Sequence, residues 1–313
     1  MMFFKRLLIV SILIGLCAYL IGNIFDNLYK KRWSEFFFDK TEELVNGKTS
    51  YDIILLGNSK IHFGINPYYL DSVTKFNSYN FGYGGSDAEE MLLTTSVYLE
   101  HRKPPKLVII CLEMYHFIKH NNLKTNYFNL YYLNDDSIQS KLNSIGYMTH
   151  TIKMFPFIKY SFFDEYNRTS IFINKEVPKF DHNIYKGFIN IHRQLNTNPI
   201  HLDLSEVNTT KVSDESVENI KKIITIFQKA GSTVIIIDAP SKSTSSKNMN
   251  SYKHISDSLV HQMSNIFNVK YITFNNLFHN DDYYPDAFHV NEQGSRIFSR
   301  SLGDSINKYF HTP

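Results

Sequence analysis

A serine, a histidine and an aspartate, far apart in this chain, are the residues whose chemistry reads most directly. Ser59 stands just beyond the apolar run Asp52-Ile-Ile-Leu-Leu-Gly57, after Asn58. Near the other end, Asp286-Ala-Phe-His289 sets a carboxylate three residues before an imidazole. A hydroxyl is a weak nucleophile until a base removes its proton, and the base needs a partner that holds its tautomer. Ser59, His289 and Asp286 supply those three functions if folding brings them together, and the chemistry would then be acyl transfer. Taken singly, each has a plainer reading. A serine after a strand commonly caps a helix, and Asp-x-x-His commonly closes a turn.

The elements between must deliver these residues to one place. Tyr51–Gly57 is continuously apolar, as expected of a strand covered on both faces. Ser78–Phe81, Leu107–Leu112, Thr233–Asp238 and Lys270–Phe274 read as further strands. Helices are expected from Asn66-Pro67, where proline suits the first position, and over Ala88–His101 behind a capping box at Ser86-Asp-Ala-Glu89. Three more follow: Ser216–Ala230 ending at Gly231, Tyr252–Phe267, and about Asn291 to Phe310. Strand and helix alternate, so the expected fold is α/β, a three-layer α/β/α sandwich on a parallel sheet.

In such sheets ligands sit beyond the carboxyl ends of the strands. Ser59 follows the first strand, Gly82-Tyr-Gly-Gly85 the second, and Asp286 and His289 the last, so all are expected on one rim. There the backbone N–H groups of Ser59 and Gly85 are candidates to stabilise an oxyanion, each worth about 3 kcal/mol.

Other chemistries fit less well. Gly82-x-Gly84 lacks the third glycine of a dinucleotide fingerprint, and no acidic strand end follows about twenty residues on. Ile61 stands where the G-x-S-x-G elbow needs glycine. His116-x-x-x-His120 has the spacing of a helical metal pair without the intervening glutamate of a zinc protease. Neither a metal nor a cofactor is expected.

The 313 residues are enough for one large domain, and a net charge of +3 without a basic block argues against a nucleic-acid partner. Lys5-Arg6 precede an uncharged run from Leu7 to Phe25, and Asp26 and Lys30-Lys31-Arg32 follow. That run of helix spans about 28 Å, close to the hydrocarbon thickness of a bilayer. Residues 1–30 are therefore expected to be an uncleaved membrane anchor, with 31–50 a connector and 51–313 the main domain. A cleaved signal is the rival, but Leu-Cys-Ala-Tyr-Leu-Ile-Gly offers a poor cleavage site. Cys17 lies in the run and Cys111 in an expected buried strand, so a disulfide between them is not expected. From about His116 to Val212 the rhythm breaks into an aromatic-rich stretch too long for a loop, expected to be an inserted subdomain or lid. Its rings are expected mainly to build their own core. Ser241–Ser251 reads as a mobile surface loop.

Together these residues resemble the SGNH/GDSL hydrolase superfamily. Gly57-Asn58-Ser59 is similar to its Gly-Asp-Ser block, with Asn for Asp; Asn80 to Gly85 matches the second block, and Asp286-x-x-His289 the last. The resemblance implies Ser59 as nucleophile, His289 as base, Asp286 as its orienter and Gly85 as an oxyanion donor. The family's third-block asparagine is missing; Tyr115 sits at its place and is the substitute donor. The single N-terminal span and the large insertion are similar to the membrane-tethered branch that acetylates alginate or helps D-alanylate teichoic acids. That branch implies an extracytoplasmic O-acyltransferase or esterase acting on cell-envelope or exported polysaccharide, beside a multi-spanning membrane O-acyltransferase. Two alternatives stay open: a non-catalytic accessory subunit of a polysaccharide complex, and a lipid-directed esterase.

Overall fold

The computed structural model describes residues 2–33, 38–120, 127–163, 185–190, 212–242, 247–286 and 288–311. In chain order the helices are α1 (Met2–Trp33), α2 (Asp39–Asn46), α3 (Ser59–His62), α4 (Pro67–Thr74) and α5 (Ala88–His101). They continue with α6 (Asp136–Ser144), α7 (Thr149–Met154), α8 (Asp214–Lys229), α9 (Lys247–Phe267) and α10 (Glu292–His311). The strands are β1 (Ile53–Leu56), β2 (Ser78–Asn80), β3 (Leu107–Cys111), β4 (Thr233–Asp238) and β5 (Lys270–Thr273). The chain divides into two compact units, Asn46–Asn122 with Lys179–Pro313, and Met1–Val45 with Leu123–Pro178.

The first unit holds a five-stranded sheet in the order β2-β1-β3-β4-β5, with every pair parallel. Every residue of β1 and β3 is buried, because helices cover both faces and no position can face water. Helix α4 packs with α10, and α5 with α8, supplying the outer layers. Ile53, Leu55, Ile109, Ile235 and Ile237 meet Ile61, Leu70, Phe298 and Leu302 in the core. This is the expected α/β sandwich. From β1 the chain steps out to β2, then returns across β1 to β3 and continues the other way. The carboxyl ends of β1 and β3 therefore flank the switch point, the place where open parallel sheets bind ligands.

Two local expectations are corrected. Asp87, rather than Ser86, caps α5, accepting the Glu90 N–H at 2.9 Å. A charged acceptor holds the helix N-terminus more strongly than a hydroxyl does. Helix α9 begins at Lys247, inside the stretch expected to be loop, since no glycine or proline interrupts 247–267; residues 243–246 lie outside the described set.

The second unit carries α1, in which Phe3–Lys30 is long and apolar enough to cross a membrane. With it go α2, α6, α7 and two 3₁₀ turns, Tyr127–Tyr131 and Pro156–Ser161. Tyr29 is fully buried here, stacked 6.0 Å from Tyr131 and tilted against Phe163 at 5.1 Å. The rest of the aromatic stretch, 164–184 and 191–211, lies outside the described residues.

Candidate active site

Gly57 ends β1 with φ +153°, and a side chain there would lie 2.7 Å from Ile61 Cγ1. Glycine alone fits both the backbone and the space, so the chain can turn tightly into α3. Asn58 caps that turn by accepting the Lys60 N–H at 3.1 Å. Ser59 is thereby the first residue of α3, where no carbonyl lies one turn back to take its N–H.

The neighbouring turn is held by Asn80, fully buried at the end of β2. Its amide donates to the carbonyls of Ile61 and Ile65, each at 2.7 Å, and its oxygen accepts the Gly82 N–H at 3.0 Å. Tyr83 N–H donates to the Gly57 carbonyl at 3.1 Å, fastening the glycine turn to the end of β1. Gly85 follows at φ +76°, the left-handed region that favours glycine.

The loop before α10 brings the other partners. His289 Nε2 lies 2.8 Å from Ser59 Oγ, and His289 Nδ1 lies 2.8 Å from Asp286 Oδ2. The second Asp286 oxygen accepts the N–H groups of Phe288 at 2.7 Å and His289 at 2.8 Å. Partial burial works to raise the Asp286 pKa, but the hydrogen bond and charge of His289, with those two N–H groups, outweigh it and hold the carboxyl below its ordinary value. An ionised Asp286 keeps the proton on Nδ1 and leaves Nε2 as an acceptor for the serine proton. The Phe63 ring meets the imidazole edge-on at 5.5 Å and restricts its swing. Ser59, His289 and Asp286 are thus brought together in one hydrogen-bonded line.

Tyr115 stands differently from what the resemblance implies. Its hydroxyl donates to the Gly85 carbonyl at 3.0 Å, so that proton is engaged in holding the glycine turn. The two candidate metal histidines do not share a helix face. His116 lies in a 3₁₀ turn (Met114–Phe117) and accepts the Glu113 N–H on Nδ1 at 3.2 Å. His120 stacks 4.0 Å from Tyr115 and contacts its carbonyl.

Sequence reasoning overlooked a charged pair at the switch point. Lys60 Nζ, one residue past Ser59, meets Glu113 Oε2 at 2.5 Å, just beyond the end of β3. The Asn58 amide donates to the other Glu113 oxygen. Burial works to raise the Glu113 pKa, but the Lys60 charge, His116 and the bonds from Lys60 and Asn58 bring it down to about 2. Burial would lower Lys60, yet Glu113 raises it above the ordinary lysine value. Beside them burial lowers His116 to about 4, against the pull of Glu113, so its ring is neutral at pH 7. The one sequence signal was a lysine directly after the candidate nucleophile, in a segment otherwise bound for the core.

No protein-family model and no curated protein matches the chain. Among solved structures it is similar to a GDSL-like lipase from Bacteroides thetaiotaomicron, at 12% identity over 91% of this chain and 99% of that one, with TM-score 0.42. It is similar to an acetylxylan esterase from Geobacillus stearothermophilus, at 10% identity over 85% and 96%, TM-score 0.42. A lipase/acylhydrolase from Enterococcus faecalis matches at 12% identity over 82% and 95%, TM-score 0.41.

Proposed function

We propose that this chain is a membrane-anchored serine esterase or O-acyltransferase of the SGNH/GDSL type, acting on acyl esters, foremost acetyl esters, of cell-envelope or exported polysaccharide. One observation carries the chemistry: the unbroken line from Ser59 Oγ through the His289 ring to Asp286 Oδ2, with 2.8 Å at each step. Hydrogen-bond reach for a nucleophile and its base is about 2.6–3.2 Å.

His289 takes the Ser59 proton as Oγ attacks the ester carbonyl. The carbonyl π electrons move to oxygen, and the Ser59 N–H at the start of α3 and the Gly85 N–H stabilise that charge. Collapse expels the sugar oxygen, which receives the proton from His289, and leaves Ser59 acylated. Water or a sugar hydroxyl then gives its proton to His289 and attacks the acyl group; the acyl–Ser59 bond breaks, His289 returns that proton to Ser59 Oγ, and acid or a new ester is released. Asp286 keeps its charge throughout and holds the imidazole.

The polysaccharide assignment is supported by the motif resemblance together with the helix Phe3–Lys30, which can tether the domain to a surface and raise its effective concentration there. The full chain in native membranes, incubated with a fluorophosphonate probe, tests the chemistry. Labelling of the parent and none of Ser59→Ala is expected, with deacetylation or transfer on acetylated glycan following the same pattern. A parent that neither labels nor turns over short-chain esters would leave it a non-catalytic accessory subunit; preference for long-chain esters would make it a lipid-directed enzyme.

A further inference from the structure

We infer that the segment Met154–Phe157 is a second membrane contact, whose apolar side chains enter lipid beside α1. The inference rests on the membrane-anchor reading above and extends it to a part of the chain with no transmembrane pattern of its own.

Helix α1 is not evenly exposed. Its less exposed positions, Ala18, Gly22, Phe25, Asp26, Tyr29 and Lys30, follow the three- and four-residue spacing of one helix face. The turn Pro156–Ser161 lies against that face. A side chain added at Gly22 would sit 3.6 Å from Phe157 Cβ, and the rings of Phe25 and Tyr160 are 5.7 Å apart. Lys159 Nζ reaches Asp26 Oδ2 at 2.6 Å, and the Tyr160 hydroxyl donates to the other Asp26 oxygen. The segment is therefore clamped along α1 from Gly22 to Asp26.

That clamp sets its depth. The uncharged run Leu7–Phe25 matches the roughly 30 Å of hydrocarbon, so Asp26 marks one edge of it. Gly22 lies one turn inside that edge, about 6 Å at 1.5 Å per residue. Phe157, packed on Gly22, is then at lipid depth too. Its neighbours suit that place: Met154 is 62% exposed, Phe155 46% and Phe157 41%, a contiguous apolar group. Around the rest of α1, Leu20, Ile21 and Ile24 are each more than half exposed. Lipid, which the anchor reading already places against α1, is the occupant that covers both. The pairing of Lys159 with Asp26 keeps their charges from standing unpaired at the boundary, as polar groups at membrane depth require.

The test uses the full chain with Cys17→Ser, leaving Cys111, which is buried and shielded from label. Leu13→Cys, Phe155→Cys and Phe157→Cys are each labelled with an environment-sensitive fluorophore and reconstituted in phosphatidylcholine–phosphatidylglycerol vesicles. The inference expects blue-shifted emission at 155 and 157, quenching by shallow doxyl lipids, and protection from iodide relative to the free dye. Quenching by iodide, or by neither agent, while the Leu13 label is quenched by lipid would overturn the inference and leave the anchor intact. If the Leu13 label also escapes lipid quenching, both fall.

Discussion

The Ser59 hydroxyl is a weak nucleophile until His289 and Asp286 activate it. Ser59→Ala should abolish probe labelling and lower kcat/KM on an acetyl ester by on the order of 10⁴-fold or more, with the fold intact by circular dichroism. Asp286→Asn should also cost on the order of 10⁴-fold, because an amide facing Nδ1 favours the wrong tautomer. Since the Asp286 carboxyl is held below 3.8, its support is present above that value and fades as pH falls through the lowered one. The acid limb of the parent's rate should therefore be set by other groups. Beneath the serine, Glu113 shows the same sign: its contribution to stability is complete above 4.5 and is lost as pH falls towards about 2. Glu113→Gln leaves Lys60 charged with only a tenth of its side chain in water. It should destabilise by about 3 kcal/mol, measured by urea unfolding at pH 7, and Lys60→Met in the same chain should recover part of the loss.

At the scale of elements, the turn between β1 and α3 depends on close approach rather than on charge. Gly57→Ala would place a methyl 2.7 Å from Ile61 Cγ1 on a backbone at φ +153°. A loss of about 1–3 kcal/mol in unfolding free energy is expected, and cutting Ile61 back to alanine, which removes Cγ1, should relieve only the contact part of it. Asn80→Ala removes three buried hydrogen bonds, two joining the end of β2 to α3 and the turn after it and one within the β2 loop. Its cost should appear both as about 1–3 kcal/mol of stability and as slower labelling of Ser59, since the glycine turn loses its support. A variant that loses stability but labels at the parent's rate would show that Asn80 has no part in positioning the site.

For the whole molecule, the decisive element is α1. If it spans the bilayer, the full chain should stay with membranes through carbonate and high-salt washes, because burial of Leu7–Phe25 is insensitive to ionic strength. Release by salt alone would mean surface attachment and would weaken the case for a surface-bound polymer as substrate. Asp26, the first charge after that run, is paired with Lys159 and Tyr160 of the turn Pro156–Ser161. Helix α1 thus shares one compact unit with that turn.

Short-range pattern by itself determined much of this protein. The apolar runs that became β1, β3 and β4, the Asp286–His289 pair three residues apart, and the uncharged run from Leu7 to Phe25 are all local statements, and side-chain periodicity or spacing states them outright. The helix start at Lys247 and the cap at Asp87 differ from the local pattern: a polar run free of glycine and proline can continue a helix, and at Ser86-Asp87 two adjacent residues can cap it. Only the tertiary structure decided which distant loops became neighbours. Ser59 meets His289 across 230 positions, and Lys60 meets Glu113 because β1 and β3 lie side by side, although β2 separates them along the chain. A parallel sheet can be wound in several strand orders with the same hydrophobic pattern. The order β2-β1-β3-β4-β5 is chosen by packing of the whole, and with it the group that faces each hydroxyl, imidazole and charge.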